Sequence, residues 1–158
     1  MKKITKTEVL ISKLLVAGVF AATSMSAVAD ANLNVSANVL STCLFSSANY
    51  TLDFGDLDPA EAADVLASVE VSYWCTSGMT TTLLAGMGTN EANGTRNMKG
   101  FGNELIPYGL TLPAGGVVTS GPGTPIVANV EGAIAYADYK DKHFGAYADI
   151  VTLTLGFE

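Results

Sequence analysis

A chain of 158 residues with 8 lysines and arginines against 15 aspartates and glutamates carries a formal net charge of −7 at pH 7. A field of that sign repels nucleic acid and anionic lipid, so neither is expected as a partner held by overall charge. Two cysteines and one histidine supply too few ligands for a zinc site.

In chain order, the first signal is a leader. Lys2, Lys3, Lys6 and Lys13 stand against Glu8 alone, an apolar run follows from Leu14 to Ala22, and small residues end in Ala27-Val28-Ala29. A basic start, a short apolar run and a small-x-small site describe a secretory signal peptide over residues 1–29. The run is shorter than the ~20 residues a membrane span needs. Cleavage after Ala29 leaves residues 30–158 with four basic and fourteen acidic residues, a net charge of −10. In an exported protein of this length, Cys43 and Cys75 are expected to form one disulfide in a single domain.

Residues 31–39 alternate without a break. Ala31, Leu33, Val35, Ala37 and Val39 share one face of an extended segment, and Asn32, Asn34, Ser36 and Asn38 share the other. Tyr50, Leu52 and Phe54 alternate in a second segment. Asp58-Pro59-Ala60-Glu61 reads as a short helix start with an acidic cap and proline in the first position. Val69, Val71, Tyr73 and Cys75 share a strand face, as a core disulfide requires. A β-prone run covers 80–85, a Gly- and Asn-rich connection around a short strand covers 86–102, and a strand bearing Tyr108 is expected over 105–112. A Gly/Pro loop over 114–125 leads to a strand over 126–136. The closing run places Val151, Leu153, Leu155 and Phe157 on one face, with no hairpin partner expected after it. Short strands separated by turn residues argue for an all-β sandwich or barrel.

Catalysis has little support. Nucleophilic triads need a base, and His143 sits in a polar loop where a solvated imidazole is expected. Asp53, Asp56, Asp58, Glu61 and Asp64 cluster without the spacing of a calcium loop. Gly86-Met87-Gly88 has no basic residue or helix after it to hold a phosphate. The three glycosylation-like triplets at Asn34, Asn49 and Asn93 read as chance in a bacterial export context. No catalytic residue, cofactor, metal site or small-molecule substrate is expected.

Four motifs in order carry a resemblance. Leu33-Asn34-Val35-Ser36-Ala37-Asn38-Val39-Leu40-Ser41-Thr42-Cys43, Leu52-Asp53-Phe54-Gly55 with Asp58-Pro59, Val69-Glu70-Val71-Ser72-Tyr73-Trp74-Cys75, and Gly145-Ala146-Tyr147-Ala148-Asp149 with the alternation after it resemble the spore coat protein U domain family. That family includes the pilins of archaic (Csu-type) chaperone–usher fibres. The resemblance implies an incomplete immunoglobulin-like β-sandwich over residues 41–158, completed by donor-strand exchange. It implies a donor strand over residues 30–40, whose Ala31, Leu33, Val35, Ala37 and Val39 enter a neighbour's groove. It further implies that Val151, Leu153, Leu155 and Phe157 face that groove or a chaperone. The partners it implies are identical or homologous pilin subunits in a head-to-tail polymer, a periplasmic chaperone and an outer-membrane usher. Its place is the cell surface, in adhesion and biofilm formation, more as a rod subunit than a two-domain tip adhesin. The alternatives are a self-complete secreted binding module, which would keep residues 31–39 in its own sheet, and a coat protein of the same fold.

Overall fold

The computed structural model describes residues 29–158, so the leader assigned to residues 1–29 lies, but for Ala29, outside the described residues. The chain divides into two units, Met1–Ala37 and Asn38–Glu158. In the first, residues 29–37 join no sheet, and Leu33 and Val35 are 87% and 84% exposed.

Among the described residues, the second unit holds every strand: β1 (Cys43–Phe45), β2 (Val65–Cys75), β3 (Thr80–Ala85), β4 (Asn97–Lys99), β5 (Leu105–Pro107), β6 (Gly109–Thr111), β7 (Val117–Val118), β8 (Ile126–Ile134) and β9 (Leu153–Phe157). One sheet has the order β1-β2-β8-β6, a second β7-β3-β9, and β4-β5 form a ribbon. All pairings are antiparallel. The sheets make a sandwich because their strands carry apolar residues at every second position, which a pleat turns to one face. Val71, Tyr73 and Cys75 of β2, Leu83 of β3, and Ala128 and Val130 of β8 form one buried cluster with Met79. A second cluster gathers Ile106, Ile134 and Tyr139 at the end where α1 (Tyr136–Tyr139) follows β8. The all-β sandwich read from the sequence is the fold observed.

Local departures have local causes. β2 begins at Val65, four residues before the expected strand, because its register with β8 runs on from Val69↔Val130 to Val65↔Ile134. The helix start at Asp58 is only a turn: Asp58 caps Ala60 N–H at 2.8 Å, but Ala62 takes a positive φ of 50° and ends it. The expected strand over 105–112 divides at Tyr108, with β5 pairing to β4 and β6 to β8. The loop over 114–125 contains β7, which pairs with β3. The end of the run over 126–136 turns into α1. Residues 50–54 alternate in burial but pair with no strand.

Candidate functional site

Between the inner face of the β2–β8 sheet and the chain around it lies an open groove of about 800 Å³. Val69 and Val71 of β2, Val130 of β8 and Leu110 of β6 line it from the sheet. Residues 50–57 contribute Leu52, Phe54 and Leu57. Residues 142–149 follow, with Val151 and Leu153 beside them, and Met98, Ile106 and Tyr108 complete the lining.

Small residues in the sheet admit this arrangement. Ala67 and Gly132 are register partners on the inner face. A Cβ on Gly132 would stand 2.7 Å from Phe54 Cζ and 2.8 Å from Leu52 Cδ2, so these side chains occupy the space that glycine leaves. Tyr50 is tied to β2 by its hydroxyl, which donates to the Ser72 carbonyl at 2.6 Å.

The groove has unpaired backbone beside it. Among the described residues, 50–57 make no backbone–backbone hydrogen bond, and β9 has a ladder partner, β3, on one side alone. Unpaired N–H and C=O groups next to apolar side chains form a template for a further strand.

The carboxylates near the groove are occupied structurally. Asp149 Oδ1 accepts from Thr89 N–H at 3.0 Å, Thr89 Oγ1 at 2.8 Å, Asn90 N–H at 3.1 Å and Asn90 Nδ2 at 3.0 Å, while Oδ2 accepts from Tyr108 O–H at 2.7 Å. Partial burial pushes the Asp149 carboxyl up, but these donors outweigh it and hold the group below its ordinary value. Burial and the Asp149 charge push the Tyr108 phenol up. Glu104 accepts from Tyr147 O–H at 2.7 Å and His143 N–H at 2.9 Å, and the Tyr147 bond leads in lowering its carboxyl. The His143 imidazole itself is 73% exposed, 3.9 Å from Glu104. In the acidic cluster, Asp53, Asp58 and Asp64 each bond a backbone N–H, of Gly55, Ala60 and Tyr136. Carboxylates committed in this way serve the backbone.

The structure places the residues singled out by sequence as follows. Cys43 and Cys75 are disulfide-bonded and face each other across β1 and β2. Val151 and Leu153 line the groove. Leu155 packs on the central cluster, and Phe157 is 52% exposed away from the groove lining. Ala31, Leu33, Val35, Ala37 and Val39 are exposed and join no sheet. Sequence reasoning missed that residues 50–57 line the groove as an unpaired segment; the alternation of Tyr50, Leu52 and Phe54 marks which face is buried and carries no sign of the missing partner.

A family model described as Spore Coat Protein U domain matches residues 29–154. Among curated proteins, none matches.

Proposed function

The chain belongs to the Spore Coat Protein U domain family, the family of the Csu-type chaperone–usher pilins, and from that premise we propose that it is a rod subunit of a surface pilus polymerising by donor-strand exchange. One observation carries this reading: the chain has an exposed apolar-faced arm that joins no sheet among the described residues, and a groove with an apolar floor flanked by backbone that lacks ladder partners. Each feature is a liability alone and satisfies the other in a second copy. Leu33, Val35 and Val39 each contribute about 1.5–3 kcal/mol on full burial, and ladder hydrogen bonds about 0.5–1.5 kcal/mol each. The contact is head-to-tail, so it propagates as an open fibre.

In this reading a periplasmic chaperone covers the groove first, and exchange for the next subunit's arm takes place at the outer-membrane usher. The fibre then stands on the cell surface, in adhesion and biofilm formation. A self-complete binding module is disfavoured because residues 31–39 take no place in the chain's own sheets. The test mixes variants with chaperone and follows multimers on unheated gels. Wild type is expected to give a ladder of heat-labile multimers. Val35→Asp is expected to give none, because a charge set against the groove's apolar floor of Val69, Val71, Leu110 and Val130 is desolvated there; Asn34→Asp, on the opposite face, is expected to polymerise normally. Polymerisation of Val35→Asp at the wild-type level would reject the arm as connector.

A further inference from the structure

The root of the arm is held by a side chain. After Cys75 the chain leaves β2 through a turn in which Gly78 has φ +84° and donates its N–H to the Thr119 carbonyl at 2.8 Å. The β1–β2 ladder therefore ends at Cys43↔Cys75, and Thr76 N–H adds one bond to the Thr42 carbonyl at 2.9 Å. Beyond that point no backbone of β2 is available to the residues that lead into the arm. The Thr76 hydroxyl takes its place. Oγ1 accepts from Thr42 N–H at 3.0 Å and donates to the Leu40 carbonyl at 3.0 Å. It acts as a ladder residue would, with a donor and an acceptor on one atom.

Thr76 is itself fixed. Its carbonyl accepts from the hydroxyl of Thr119 at 2.6 Å, and Thr119 is 3% exposed. The line of support runs from a buried hydroxyl to Thr76, and from Thr76 to Leu40, next to Val39 of the arm. The disulfide immobilises the adjoining pair Cys43 and Cys75. A β-branched side chain also has few rotamers to lose, so the hook costs little to hold in place.

We infer that Thr76 is a positioning residue for the arm: it extends the ordered body as far as Leu40 and makes the junction between successive subunits a stiff joint instead of a free swivel. The consequence for fibre stiffness rests on the reading of residues 31–39 as the connector; the ordering of residues 40–42 does not. Valine keeps the shape of threonine and removes both hydrogen bonds, and serine keeps the hydroxyl.

The exported chain, isotopically labelled and disulfide-intact by mass, permits the first measurement. Backbone order parameters at Leu40 and Thr42 are expected at about 0.8 in wild type and Thr76→Ser, and below about 0.6 in Thr76→Val. Amide exchange at Thr42 is expected to speed at least tenfold in Thr76→Val. A glycine inserted between Leu40 and Ser41, with Thr76 intact, is expected to loosen Leu40 in the same way, and it serves if Thr76→Val does not fold. The second measurement is the persistence length of fibres by electron microscopy, expected to drop at least twofold in Thr76→Val with the multimer ladder unchanged. Order parameters and exchange that are the same in wild type, Thr76→Val and the glycine insertion would overturn the hook. Loosened residues 40–42 in fibres of unchanged stiffness would overturn its role as a joint. Wild type that forms no multimers would instead reject the connector reading and leave the order parameters to decide the hook.

Discussion

Two residues show how single positions hold this sandwich. Cys43 and Cys75 lie opposite each other where a three-residue strand meets an eleven-residue one. β1 has little ladder of its own, so the cross-link does what length does elsewhere. Closing a loop of sequence separation 32 stabilises by about 3–4 kcal/mol on the chain-entropy account. Cys75→Ser is expected to lose that much in urea titration of the oxidised protein, and reduced wild type should match it. Asp149 is the second. It gathers donors from two segments, and Gly88 leaves it room: at φ +87° a Cβ there would overlap the carboxylate. Its folded pKa lies below the ordinary 3.8. The ionised form is the one the fold favours, so its contribution is complete above that ordinary value and is lost as pH falls through the folded one. Asp149→Asn is expected to be less stable at pH 7 and to lose less on acidification below about pH 4 than wild type, measured as urea midpoints from neutral to acid pH.

At the level of elements, the arm and the groove are separable. Residues 31–39 contribute no strand to the body, and the groove is lined by other segments. Deleting residues 30–39 is therefore expected to leave the unfolding midpoint of the body within about 0.5 kcal/mol of wild type, as for changes away from packed features. The deleted chain should still bind chaperone and accept an arm, while donating none. Mixed with wild type it should shorten the multimer ladder by terminating chains. A ladder of unchanged length would show that the arm is not what connects subunits. In the proposed exchange the unpaired segment 50–57 is the other half, since Leu52 and Phe54 pack over Gly132 and their backbone makes no backbone–backbone hydrogen bond.

For the whole molecule the decisive quantity is charge. Residues 30–158, the chain that cleavage after Ala29 would leave, carry −10, and within residues 30–40 Asp30 is the one charged side chain. In the proposed exchange the arm therefore brings apolar surface and no side-chain charge beyond Asp30, and electrostatics enters as repulsion between acidic bodies. Raising salt shortens the screening length from about 30 Å at 0.01 M to about 8 Å at 0.15 M. Multimer formation is expected to speed severalfold over that range. Slower assembly at higher salt would point to charge pairs across the joint.

Sequence by itself determined the period-two strands, the cysteine pair and the family, because each depends on residue type and order along an extended chain. Val71, Tyr73 and Cys75 face the core as their alternation requires, and Cys43 meets Cys75. The alternation of residues 31–39 was legible too, and the resemblance implied that this strand would find its partner in a second copy and not in its own sheets. Tertiary structure alone decided which alternating segments pair. Tyr50, Leu52 and Phe54 read as a strand and line the groove unpaired. The run over 105–112 reads as one strand and serves two sheets, dividing where Tyr108 turns to Asp149. Alternation records which face of a segment is buried; it contains nothing about which backbone lies alongside, and that depends on residues far apart in the chain meeting in register.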